Sequence, residues 1–176
     1  MKMSTLIAAA VCCGFAGTSA LAQASDVLPV EGSTFTEWGT EGDWRIYLDE
    51  TKGSCFAERT DAEQDVLQMG LTKAGDLGYL GVFTLGDSSG GVREQRINVS
   101  LDGKEYQGTG YSGGNHLSKN HVGGYILTNN PRLVEDVMNT SQMDVTPQLG
   151  KPFSISLAGT QMAIEAARKC TSEQGG

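Results

Sequence analysis

The feature that most limits the fold is a series of short runs in which apolar and polar residues alternate. Residues 44–48, 67–71 and 97–101 follow this pattern, and Phe153, Ile155 and Leu157 repeat it near the C-terminus. Alternation over about four to eight residues is typical of strands that bury one face. In residues 44–48, it places Trp44 in the core and Tyr47 on the opposite face. The chain therefore predicts many short strands.

The dipeptide Asp102-Gly103 predicts how two of these strands are joined. It separates residues 95–101 from residues 104–109, and a type I′ turn needs positive φ at both of its central positions, which Asp-Gly tolerates. Further strands are predicted at residues 77–85, 124–128 and 142–146. With 24 glycines in 176 residues to supply turns, we expect a mainly β fold, an antiparallel β-sandwich or a barrel-like sheet.

Two helices are predicted to interrupt the strands. Pro131 is suited to the first position of a short helix over residues 131–139. A second helix is predicted over residues 160–169, where small side chains recur at the spacing of one helical face. The residues of that face are Ala163, Ala166, Ala167 and Cys170.

The N-terminal residues have the three parts of a secretory signal peptide. Lys2 is followed by an apolar run, and Ala20-Leu21-Ala22 is a small-x-small cleavage motif. We predict a signal peptide over residues 1–22 with cleavage after Ala22, and a periplasmic or secreted protein without a transmembrane segment after cleavage. Lipid attachment at Cys12 or Cys13 is the alternative to cleavage. The predicted mature chain comprises a leader at residues 23–33, a single β-rich domain at residues 34–170 and a flexible tail at residues 171–176.

Removal of this segment leaves two cysteines, Cys55 and Cys170. In an oxidising compartment such a pair predicts a disulfide, and a free catalytic thiol is the alternative. Loss of Lys2 changes the net charge from −8 to −9, and the sequence pI is about 4.7. Nucleic acids and anionic membranes are therefore not expected as partners, because both require clustered Lys and Arg.

One segment resembles a catalytic motif. Gly110-Tyr111-Ser112-Gly113-Gly114 matches the G-x-S-x-G pattern of hydrolases. That pattern requires a helix directly after the serine, whereas glycines follow here. It also requires an acidic residue and then a histidine later in the chain. We expect a glycine-rich loop and no catalytic residue. A small secreted hydrolase that pairs Ser112 with His116 or His121 is the alternative.

Candidate binding residues lie in two parts of the chain. Trp38 and Tyr47 could line a surface groove, and the glycine-rich segment 108–124 presents Tyr111, His116 and His121. The two histidines could begin a metal site, but zinc usually requires a third or fourth protein ligand. We therefore predict no metal and no cofactor, while a contribution of both histidines to a metal site stays open.

Two segments resemble a known family. Gly42-Asp43-Trp44-Arg45-Ile46 and Ser156-Leu157-Ala158-Gly159-Thr160 are similar to the ends of the invasion-associated locus B family of secreted alphaproteobacterial proteins. The resemblance covers about a fifth of the chain and implies a β-sandwich linked to host-cell interaction, without established catalysis. The sequence departs from the family pattern at Leu48, where that pattern has a cysteine. No functional residue is transferred from the family.

Together these patterns predict a non-enzymatic periplasmic or secreted protein that binds a protein or another envelope component. The alternatives are the hydrolase based on Ser112, a hydrolase with a carboxylate pair, and an inhibitor or accessory subunit of another secreted protein. For the last of these, segment 108–124 would be the contact surface.

Overall fold

The computed structural model describes residues 28–29, 32–72, 77–86, 94–111, 117 and 120–175. The predicted signal peptide at residues 1–22 lies outside this range, as do Ser112 and His116. Of Tyr111, the structure describes the backbone only.

Within the described residues, ten strands form one sheet in the order β1-β2-β3-β4-β5-β8-β7-β6-β9-β10. Each pair of neighbouring strands is antiparallel. The mainly β fold predicted from the alternation is therefore confirmed. The strands are β1 Phe35–Glu41, β2 Trp44–Asp49, β3 Ser54–Thr60, β4 Val66–Leu71, β5 Gly78–Leu85, β6 Glu94–Leu101, β7 Lys104–Tyr111, β8 His121–Thr128, β9 Gln142–Pro147 and β10 Phe153–Ser156.

The predicted hairpin joins β6 and β7. Asp102 and Gly103 have φ angles of 49° and 77°, and Leu101 pairs with Lys104 across the turn. Positive φ at both central residues is the conformation that an Asp-Gly turn of this kind requires. The dipeptide thus fixes the register of these two strands.

One face of the sheet carries a large apolar cluster, here called the helix-side core. Trp44 of β2 and Ile155 of β10 both belong to it, although these strands lie near opposite ends of the strand order. The Trp44 Nε1 donates a hydrogen bond of 2.8 Å to the carbonyl of Ala158, just after β10. The sheet therefore curves until its two ends meet, in agreement with a sandwich or barrel-like architecture.

Two helices pack against the helix-side core. Helix α1, Pro131–Asn139, has the predicted bounds, and its preceding Asn130 side chain accepts a hydrogen bond from the Arg132 amide. Helix α2, Thr160–Glu173, begins where predicted but continues four residues beyond residue 169. The helix thus includes the first three residues of the segment 171–176, which was predicted as a tail. Thr171 is fixed because its hydroxyl accepts a hydrogen bond from the Cys55 amide and donates one to Ala167.

The opposite face of the sheet carries a second apolar cluster, here called the outer core. Neighbouring residues of a strand point to opposite faces, so Phe56 of β3 lies in the outer core while Cys55 and Ala57 lie in the helix-side core. Leu28, which we assigned to a leader before the domain, is 4% exposed and packs in this cluster. Leu28 thus packs with aromatic residues of the sheet. The buried members are Leu28, Phe56, Val66, Tyr79, Phe83 and Tyr125.

Candidate functional site

Trp38, a candidate binding residue, lies against α2. Its side chain is 36% exposed, its Nε1 donates to the Glu173 carboxylate at 3.3 Å, and the Lys169 Nζ lies 5.8 Å from its ring centroid. A cation over an indole ring is attracted by the negative face of the ring. The described contacts of Trp38 thus connect β1 to the last turns of α2.

Tyr47 lies on the other side of the sheet. Its ring stacks on Phe56 with 5.5 Å between centroids, and it packs against the outer core. Trp38 and Tyr47 are therefore separated by the sheet and do not line a common groove. These two aromatic residues, which are close in the sequence, therefore lie on opposite faces of the sheet.

His121 begins β8, and its Nε2 lies 2.9 Å from the carbonyl oxygen of Gln64. The backbone of Tyr111 pairs with Tyr125 at the end of β7. Ser112 and His116, which the sequence pairs with His121 in the alternative hydrolase and metal sites, lie outside the described residues. In the part of the chain that is described, no group of three His, Cys, Asp or Glu side chains is arranged to hold a metal ion.

A cavity of about 560 Å³ lies between the sheet and the two helices. We refer to it as the helix–sheet cavity. The strands contribute residues at the adjoining ends of β4, β5 and β8, and both helices contribute the side chains that face the sheet. Its lining is Cys55, Met69, Gly70, Leu71, Thr72, Gly78, Tyr79, Leu80, Thr128, Leu133, Val134, Val137, Ile164, Ala167, Arg168, Thr171, Ser172 and Gly175.

The walls of the helix–sheet cavity are apolar because each element turns its apolar face toward it. Leu133 and Val137, four residues apart on α1, are buried there, and Ile164 and Ala167 lie three apart on α2. Residues at these spacings share one face of a helix. Met69 of β4 completes the wall opposite the helices. An aliphatic ligand would contact carbon atoms on all of these sides.

The mouth of the helix–sheet cavity runs along one stripe of α2. Arg168 and Ser172 are exposed lining residues of that helix, and their spacing of four residues places them on one face of it. Gly175, two residues beyond the end of α2, is also exposed and lines the cavity. The Ser172 hydroxyl is already used, since it donates to the Lys169 carbonyl at 2.7 Å. Arg168 is the one charged residue of the described lining.

The predicted disulfide is present in the wall of this cavity. Cys55 and Cys170 are bonded, with 5.9 Å between their Cα atoms. Cys55 itself lines the helix–sheet cavity, and its amide donates to Thr171 of α2. The bond therefore fixes the distance between α2 and the sheet at the place where the cavity lies.

Helix α1 is held in place by a charged side chain. The Asp136 carboxylate accepts hydrogen bonds from the Lys104 Nζ at 2.7 Å and from the Tyr106 hydroxyl. Both donors favour the ionised carboxyl, so they lower the pKa of Asp136, and the same contact raises the pKa of Lys104. These bonds anchor the outer side of α1 to β7, while its opposite side faces the cavity.

A second cleft, of about 830 Å³, lies at the end of β2 and β3 and is polar. Its Arg59 is already engaged: it forms an ion pair of 2.9 Å with Asp43 and donates to the Ala158 carbonyl at 3.2 Å. With its donors directed at protein atoms, Arg59 has less capacity for a ligand than Arg168. The helix–sheet cavity is therefore the stronger candidate site.

Comparison of the chain with protein-family models, with curated proteins and with solved structures finds no match. Among the described residues, no helix combines the length and the apolar character needed to cross a membrane. The geometry of the helix–sheet cavity is therefore the basis for a functional proposal.

Proposed function

We propose that the protein is a non-enzymatic binding protein of the bacterial envelope, periplasmic or secreted, whose helix–sheet cavity takes up the apolar part of a small envelope component. One observation carries this proposal, the volume of about 560 Å³ between the helices and the sheet. Protein interiors are packed closely, with few voids larger than a water molecule. Ligand cavities typically measure about 300–1,000 Å³ and have largely apolar walls. The helix–sheet cavity has a volume in this range and largely apolar walls.

The proposed compartment is supported by two features of the chain. Residues 1–22 have the pattern of a secretory signal peptide, and disulfides such as Cys55–Cys170 persist in oxidising compartments. The resemblance of the segment around Trp44 to the invasion-associated locus B family supports the same location. Membership of that family is part of the proposal.

The proposal can be tested with the uncharged fluorophore phenylnaphthylamine, whose emission rises in apolar surroundings. The full chain is expressed in its own cells, so that any cleavage of the N-terminal segment takes place there. The purified protein is then titrated with this probe. We expect saturable binding with one probe per chain, because an apolar probe gains free energy by leaving water for the cavity. Absence of saturable binding would contradict the proposal.

A variant pair locates the bound probe. Val134→Phe places a larger side chain in the helix–sheet cavity, whereas Met138→Phe changes the next turn of α1 at a residue outside its lining. Both positions are partly buried. We expect Val134→Phe to weaken binding by about tenfold or more, which corresponds to about 1.4 kcal/mol, and Met138→Phe to retain it. Equal affinities in the two variants would place the probe elsewhere, and circular dichroism verifies that both are folded.

A further inference from the structure

Arg168 distinguishes the helix–sheet cavity from a purely apolar void. It is the charged member of the described lining and lies at the exposed mouth, next to apolar walls built by Ile164 and Ala167 on the same helix. An arginine at the edge of an apolar cavity can bury its aliphatic stem and keep its guanidinium in water. The cavity thus has an apolar interior and a cationic entrance.

Within the described part of the chain, Arg168 forms no ion pair and no hydrogen bond through its side chain. The two acidic residues of α2 have other contacts. Glu165 accepts a hydrogen bond from Gln161 at 3.2 Å, and Glu173 accepts one from Trp38. The neighbouring cation, Lys169, lies over the Trp38 ring. The guanidinium of Arg168 is therefore available to a ligand in the cavity mouth.

The chemistry of a guanidinium defines the group that it would bind. Its planar array of donors matches the two oxygens of a carboxylate or phosphate, and such charge-assisted pairs are stronger than neutral hydrogen bonds. The chain as a whole is acidic, with a net charge of −8. At physiological ionic strength, however, charges more than about 8 Å away are largely screened. Contact with Arg168 therefore decides which head group is preferred.

We propose that the ligand is a single-chain amphiphile whose hydrocarbon tail fills the helix–sheet cavity and whose anionic head group, a carboxylate or a phosphate monoester, pairs with Arg168. This proposal rests on the proposed function and adds the ligand class. It combines an apolar volume of about 560 Å³ with one available cation at the mouth of that volume. A fatty acid and an alkyl phosphate share these properties.

The test compares three ligands that carry the same tail and differ in the head group. Dodecanoate, dodecyl phosphate and dodecanol each displace phenylnaphthylamine from the wild-type chain, at concentrations below those at which they form micelles. The same titrations are performed with Arg168→Gln and with the control Lys169→Gln, which removes the same charge one residue away, at a side chain that lies over Trp38. Retained dodecanol binding shows that each variant is folded with an intact cavity.

We expect at least one of the two anions to bind wild-type protein about tenfold more tightly than dodecanol. Arg168→Gln should abolish that preference without weakening dodecanol binding, and Lys169→Gln should retain it, because only Arg168 lies at the cavity mouth where a charge-assisted hydrogen bond to the head group can form. Which anion binds more tightly distinguishes a carboxylate from a phosphate head group. Equal affinity of wild-type protein for all three ligands, or an unchanged preference in Arg168→Gln, would overturn the inference while the cavity remains a binding site. Failure of wild-type protein to bind phenylnaphthylamine would overturn the proposed function itself.

Discussion

Cys55 in β3 and Cys170 in α2 are joined by a disulfide at the wall of the helix–sheet cavity. The two residues are separated by 115 positions, so the bond closes most of the described chain into one loop. The bond therefore has two consequences. It reduces the conformational entropy of the unfolded chain, and it holds one wall of the cavity against the sheet.

Removal of the disulfide should lower the stability and weaken ligand binding. For the double variant Cys55→Ala/Cys170→Ala, the chain-entropy model gives a loss of up to about 4 to 5 kcal/mol for a loop of this length. Urea denaturation measures the free energy of unfolding, and phenylnaphthylamine titration measures the affinity. An unchanged urea midpoint together with unchanged affinity would contradict both roles of the bond.

The contacts of Asp136 predict a second effect on stability, which depends on pH. Asp136→Asn removes the charge that accepts hydrogen bonds from Lys104 and Tyr106, so it should lower the unfolding midpoint. Glu135→Gln is the matched control, because it removes one charge from an exposed neighbouring position of α1. The midpoints of both variants are measured by thermal denaturation at neutral pH. A loss of equal size in the control would assign the effect to the net charge of the helix.

The sign of the pH dependence follows from the lowered pKa of Asp136. The folded state binds this proton less readily than the unfolded state, so the stabilisation is complete above the ordinary aspartate value of 3.8. It is lost as the pH falls through the lowered pKa of the folded state. The difference in stability between wild type and Asp136→Asn should therefore be largest near neutral pH and shrink below about pH 4. A difference that grows in acid would contradict the assignment.

A buried chain of hydrogen bonds predicts the effect of a small substitution. The Tyr125 hydroxyl donates to the Gln68 Oε1 at 2.6 Å, and the Gln68 Nε2 donates to the Glu58 Oε2 at 2.6 Å. Burial raises the pKa of Tyr125 well above its ordinary value, so its hydroxyl stays a donor at physiological pH. Tyr125→Phe leaves the buried amide oxygen without this donor and should cost about 1–3 kcal/mol in urea denaturation.

Tyr79→Phe provides the comparison for that measurement. Tyr79 is also buried and contacts the Tyr125 ring edge to face at 5.7 Å. Its hydroxyl is not part of the chain of hydrogen bonds that joins Tyr125, Gln68 and Glu58, so the loss of its oxygen should cost less. If Tyr79→Phe proves as destabilising as Tyr125→Phe, the hydrogen bond to Gln68 is not the cause.

The sequence did not predict β1 and β3, and each omission has a physical reason. Strand β3 buries its first five residues consecutively, because the helix-side core covers one of its faces and the outer core covers the other. Apolar and polar residues alternate only in a strand that has one buried face and one face in contact with water. In β1, a register shift between Glu37 and Gly39 interrupts the pattern. By contrast, Asp102-Gly103 and Pro131 are local signals, and both predicted their elements correctly.

The helix–sheet cavity could not be predicted from the sequence, because no local pattern encodes it. Its walls combine Met69, Leu133 and Ile164, which lie far apart in the chain and each resemble ordinary core residues. In the sequence, Arg168 is one charged residue among several, and only the fold shows that it lies at the cavity mouth. Only the prediction that Cys170 lies on the buried face of α2 and bonds to Cys55 pointed to this region.

The most direct test of the account is the position of a ligand in the helix–sheet cavity. Crystals of the wild-type protein are soaked with dodecanol brominated at its terminal carbon, and anomalous scattering locates the bromine independently of the head group. We predict a bromine peak inside the cavity, among Met69, Leu133 and Ile164. No peak there, at a concentration that displaces phenylnaphthylamine in solution, would contradict the claim that this cavity binds the ligand.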